Sequence, residues 1–143
     1  MKKLLLILGL FIFTQNAYSH TCPDSMVHLD TAHVCFGFEF TEGPYINERG
    51  QRQLSSGIAT LDSNEYGLDL SESHFFLWMK MPNMEHGGRP LSVTYLGDGQ
   101  FKIENILLTR MPGQWFLRVD LFYNEPHEPS VDYDGEFAIT DYM

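Results

Sequence analysis

The sequence predicts an all-β fold, an immunoglobulin-like β-sandwich of about seven strands, on three observations. Turn residues recur about every ten positions along the chain. Between them, short runs alternate apolar and polar residues with the two-residue period of a half-buried strand. No stretch carries a sustained helical stripe.

The elements follow in order. Val34, Phe36, Phe38 and Phe40 alternate with Cys35, Gly37 and Glu39, so the aromatic positions share one face of a strand that Gly43-Pro44 ends. Ile58–Leu61 and Leu68–Leu70 are shorter candidates. His74–Met81 is apolar at both parities, the pattern of a central strand covered on two faces. Leu91–Leu96 and Phe101–Leu108 flank Gly97-Asp98-Gly99, a glycine-containing loop that marks a hairpin. Trp115–Phe122 follows Pro112-Gly113 and places Trp115, Leu117, Val119 and Leu121 on one face, with Trp115 read as core. Glu136–Thr140 closes the domain.

Composition sets the class. The 143 residues are 43% hydrophobic and 14% aromatic, enough for one domain with a real core and too apolar for a disordered chain. With 9 Lys and Arg against 19 Asp and Glu, the formal charge is −10. Like-charge repulsion opposes binding to nucleic acid or to an anionic membrane surface. The acidic excess reads as solvated surface that also concentrates cations nearby.

Residues 1–19 read as a secretory signal peptide, leaving 20–143 as the sandwich domain. Lys2 and Lys3 supply the positive start, Leu4–Phe13 the apolar run and Ala17-Tyr18-Ser19 the cleavage site. A membrane-spanning helix needs about 18 or more apolar residues, and this run is about ten before Thr14-Gln15-Asn16 interrupt it. His20-Thr21 before Cys22 lacks the small pair of a lipid-modified cysteine. The expectation is therefore an exported, periplasmic protein with no stable membrane anchor and, after cleavage, 7 basic against 19 acidic side chains. Cys22 and Cys35 are the only cysteines, and an exported pair is expected to form a disulfide. A thiolate metal pair is the rival, but the 12 intervening residues lack its close spacing.

The segment Met79-Lys80-Met81-Pro82-Asn83-Met84-Glu85-His86-Gly87-Gly88 carries the chemistry. Pro82 cannot continue a central ladder, so the strand ends there and Met84 and His86 are expected in a loop. Met81, Met84 and His86 then offer two thioethers and an imidazole within six residues. Thioethers are neutral and polarizable and favour Cu(I), while imidazole accepts either copper oxidation state. The alternative is that methionines at a strand end simply fill the core, and for Met79, which shares the parity of Phe75 and Leu77, that reading is preferred.

The same residues resemble the YtkA-like/FixH-like exported domains, whose hallmark is a strand running into a Met-Pro-x-Met-x-His-Gly turn, here Met81 to Gly87. The likeness continues through Gly97-Asp98-Gly99-Gln100-Phe101, similar to the family's glycine hairpin, and through Met111-Pro112-Gly113-Gln114-Trp115, similar to its Met-x-Gly-x-Trp lead into a strand. It covers about residues 74–122. The resemblance implies an immunoglobulin-like sandwich outside the cytoplasmic membrane that handles copper, in delivery to respiratory oxidases or in copper tolerance. It implies Met81, Met84 and His86 as ligands, with Met111 a candidate fourth or else a turn residue packing under Trp115. A membrane oxidase-assembly or copper-transport protein is the implied partner, and the short leader favours a soluble carrier over a membrane subunit.

Other readings stand beside this one. If cleavage follows Ser19, His20 becomes an N-terminal histidine whose amine and imidazole can chelate Cu(II). His28, His33, His74 and His127 read as surface or core histidines, since nothing at ligand spacing accompanies them. Asp62-Ser63-Asn64-Glu65-Tyr66-Gly67 starts like a calcium loop, but Tyr66 replaces an oxygen donor and Ser73 stands where a bidentate Glu is required. No nucleophile elbow, His-Glu-x-x-His or phosphate loop is present, so the protein is not expected to be an enzyme. The competing function is a metal-free exported sandwich that binds a partner through an edge strand or an aromatic patch.

Overall fold

A computed structural model of the chain describes residues 21–29, 33–63, 68–122 and 133–140. Eleven strands form among them: β1 (Val27–Leu29), β2 (Val34–Glu42), β3 (Ile46–Asn47), β4 (Ser55–Ser63), β5 (His74–Met81), β6 (Met84–Gly87), β7 (Ser92–Gly97), β8 (Gln100–Ile106), β9 (Leu108–Thr109), β10 (Gln114–Leu121) and β11 (Tyr133–Ala138). Seven of these are six residues or longer, and each of the seven overlaps a run expected from the sequence. The short β1, β3, β6 and β9 are additional.

Two antiparallel sheets face each other, with strand orders β1-β2-β4-β8-β7 and β11-β10-β5-β6, and β3 and β9 form a small parallel bridge. The alternation in sequence decides which side chains lie between the sheets. Phe36, Leu61, Phe101 and Ile103 come from the first sheet; Phe75, Leu77, Met79, Trp115, Leu117 and Val119 come from the second. The Phe75 ring joins the layers, 4.8 Å from Phe101 and 6.1 Å from Phe36. Met79 is fully buried filler, as its parity predicts.

The segment Leu68–Leu70 corrects the reading from sequence. It contributes an isolated bridge residue and then a 3₁₀ turn, Leu70–Glu72, because the Asp69 carboxylate accepts from the Ser71 N–H at 2.9 Å and caps a turn instead of letting a strand extend. The double apolar parity of β5 also has a different cause from the expected one. Its core-facing residues are Phe75, Leu77 and Met79, whereas Phe76 faces outward and is 44% exposed. Trp78, also outward, packs on Gly87 and directs its Nε1–H toward Glu85 Oε2 at 3.4 Å.

Local chemistry fixes the connections. β2 ends immediately before Gly43-Pro44. The β7–β8 hairpin turns through Asp98 and Gly99, whose φ values of 50° and 71° are the two positive angles of a tight turn matched to strand twist. The Gly99 carbonyl accepts from Leu61 N–H at 2.8 Å, and a β-carbon there would collide with β4. At the β3–β9 bridge the buried Asn47 amide lies within 3.1 Å of the carbonyls of Tyr45, Gln53 and Leu108 and accepts from Gln53 N–H at 2.6 Å. Cys22 and Cys35 lie at disulfide distance, 2.08 Å between sulfurs, which ties the start of the domain to β2. β1 then pairs with β2 from Leu29↔Val34 to Val27↔Phe36. The leader 1–19, His20 and His127 lie outside the described residues, and no helix among those described is long and apolar enough to cross a membrane.

Candidate metal centre

The centre is built on the β5–β6 hairpin. Pro82 has no N–H to give to a ladder and its fixed φ suits the first corner of a turn, so β5 stops at Met81 and the chain reverses over Pro82-Asn83. Pairing resumes at once, with Met81↔Met84, Lys80↔Glu85, Met79↔His86 and Trp78↔Gly87. Met84 and His86 are thus strand residues, a correction to the expected loop. Met-Glu-His-Gly carries little strand propensity, and the ladder offered by the neighbouring β5 overrides that weakness.

Strand geometry settles the faces. Residues directly opposite in an antiparallel pair project to the same side, and alternate residues share a side. His86 therefore lies on the side of buried Met79, and Met84 on the side of Met81, two pairs further toward the turn. All four belong to the core-facing surface of the second sheet. Its charged residues Lys80, Glu85 and Glu136 occupy the opposite parity, where Lys80 pairs with Glu136 and sits 4.8 Å over the Phe116 ring. The donor side is thus left with neutral thioethers and an imidazole.

Neighbouring elements complete the surroundings. Trp115 of β10 stands opposite Met79 on its other side, so Trp115, Met79 and His86 form one row across three strands. The Trp115 and His86 rings are perpendicular, 6.2 Å between centroids. Trp115 is buried, as expected, and its Nε1–H donates to the Thr109 carbonyl at 3.2 Å. The turn before β10 presses on the end of β5: a β-carbon at Gly113 would stand 2.9 Å from Met81 Cγ. Met111, two residues earlier, is half-buried against the same core as Met81. That burial fits a packing role for Met111, and its part as a fourth ligand is a proposal. Met84, on the edge strand, is 60% exposed.

His86 is oriented by its own chain. Its Nδ1 lies 3.2 Å from the Gly87 carbonyl. An imidazole that donates from Nδ1 to a carbonyl keeps the Nε2 lone pair for a metal, the usual arrangement of a ligating histidine. Among the described residues no three His, Cys, Asp or Glu side chains gather to hold a metal ion, so any site at this end depends on sulfur. His28 and His33 are exposed, with ring centroids 6.1 Å apart, and His74 is exposed with its ring 4.9 Å from Phe122.

No protein-family model, curated protein or solved structure matches the chain. Two features of the centre were not anticipated from sequence: the approach of Trp115 to His86 and the contact of Gly113 with Met81. The first had a usable signal, the two-residue alternation of Met84 and His86 after a Pro-Asn corner, which continues the parity of Met79 and Met81.

Proposed function

We propose that the protein is a periplasmic copper carrier that holds one Cu(I) ion as cargo on Met81, Met84 and His86, with Met111 alongside. The observation that carries this reading is the shared side of the three donors on one hairpin. Neutral sulfur and imidazole donors in a mostly apolar setting match a soft monovalent ion and offer little to Mg²⁺ or Ca²⁺. Trp115, beside His86, limits water at the inner side of the ion, while exposed Met84 gives a partner a sulfur through which the ion is passed on. The cysteine pair suits an oxidising compartment, where thioethers remain usable ligands and thiols are lost to oxidation. Delivery or tolerance outside the cytoplasmic membrane is also what the likeness to YtkA-like/FixH-like domains implies. Cu(I) competition with a chromophoric chelator tests the reading. The unaltered protein should bind close to one equivalent, and the M81L/M84L double variant should lose that binding while its melting temperature stays unchanged. Undiminished affinity in the double variant removes these sulfurs from the ligand set.

A further inference from the structure

The two sheets do not cover each other equally. β6 spans only the Trp78–Met81 half of β5, and the chain leaves the sheet at Arg89-Pro90, where proline has no N–H to continue the ladder. The last bond along this edge runs from Gly88 N–H to the Leu77 carbonyl at 2.6 Å. Backbone groups alternate sides along a strand, so Phe75 turns its N–H and C=O to the same edge as Leu77. Phe75 pairs only with Val119 of β10 among the described residues. Beside this open edge lies a groove of about 460 Å³, lined by apolar residues that include Phe76, Leu91 and Val93. Val93 is 38% exposed although it faces inward, opposite buried Ile103, because no strand of the second sheet reaches over it.

Two polar features mark the groove. Ser73, at its end, is only 6% exposed, and its hydroxyl has no hydrogen-bond partner among the described residues. A buried hydroxyl without a partner is costly, and a polar ligand atom would relieve that cost. Arg89, at the rim, is exposed and forms no ion pair among the described residues, in a chain where acidic residues outnumber basic ones about two to one.

We propose that this groove receives an extended segment of a partner protein, which adds a strand to β5 where β6 stops, places apolar side chains between Phe76 and Val93, and sets one acidic side chain on Arg89. An open strand edge recruits backbone hydrogen bonds, and the pockets beside it select alternate side chains. The backbone edge distinguishes this occupant from a small apolar molecule, which cannot pair with Phe75. The carboxylate is called for by Arg89. The inference is independent of copper, since none of Met81, Met84, His86 and Met111 lines the groove.

The test is selection of a random heptapeptide phage library on the immobilised, metal-free protein, followed by calorimetry with the enriched peptide. The expected consensus alternates apolar residues and contains one Asp or Glu. V93K, at an exposed edge position, should retain the melting temperature and weaken the enriched peptide at least about tenfold. R89Q should weaken it by a smaller factor that vanishes at high salt. Amide exchange at Phe75 should slow when the peptide binds. Absence of any enriched sequence, equal affinity for V93K, or a dimer in sedimentation that itself protects Phe75 would each overturn the proposal.

Discussion

His86 stands directly opposite Met79 across the β5–β6 hairpin, so an imidazole on an edge strand shares the side of a methionine fixed in the core. The pairing joins the candidate centre to the rigid part of the sandwich. It also separates roles among similar residues: Met79 supports the hairpin from within, while Met81 and Met84 lie two pairs nearer the turn and nearer solvent.

The imidazole can be removed without removing the hairpin. H86Q keeps a polar side chain of similar reach at a half-buried edge position but loses the ring nitrogen. Cu(I) affinity should fall at least about tenfold, while thermal unfolding shifts little. A chelator competition series on both proteins checks this, with circular dichroism as the control for folding.

Gly113 links the Met111 turn to Met81. A methyl group there meets Met81 Cγ at 2.9 Å and the backbone of Lys80, so the turn must move away from β5. G113A should destabilise by about 1–3 kcal/mol, the usual cost of overpacking, and should weaken Cu(I) binding in the same protein. Denaturant unfolding and copper titration of one sample measure both effects.

The Cys22–Cys35 link acts on stability and leaves the centre alone. It closes a loop of sequence separation 13, and loops of that size stabilise by about 3 kcal/mol. The C22S/C35S variant should unfold at lower denaturant by that amount and retain its copper stoichiometry, since Cys35 lies in β2 of the other sheet and Cys22 in the segment before β1.

How far the sequence could be read depended on how much of each element's cause was local. Trp115, Leu117, Val119 and Leu121 declare β10 because burial of one face imposes a period of two, and the Asp98-Gly99 corner declares its hairpin because few residues accept positive φ. The β5–β6 hairpin was half legible. Pro82 announced the end of β5, but Met84–Gly87 forms a strand only because β5 lies beside it, a tertiary cause invisible in four residues. Leu68–Leu70 failed in the opposite way: two apolar residues suggested a strand, and the Asp69 cap decided for a turn. The ligand candidates themselves were legible as residue types, whereas their common side depended on the register of pairing.

Asn47 tests the small parallel bridge that holds the chain preceding Met111. Its buried amide serves three carbonyls and the Gln53 N–H. N47A leaves those groups without a partner and should cost about 1–3 kcal/mol. Faster amide exchange at Gln53 and Thr109 than elsewhere in the sandwich would locate the damage at β3 and β9.

The most direct measurement follows the methionine methyl groups by carbon-13 NMR while Cu(I) is added anaerobically. The six methionines of residues 20–143 report separately on one titration. Met81 and Met84 should shift together and saturate at one equivalent, with the His86 ring signals moving in step and Met26 unchanged. Shifts spread evenly over all the methionines, or a His86 ring that does not respond while the sulfurs do, would contradict a single soft-ion site on this hairpin.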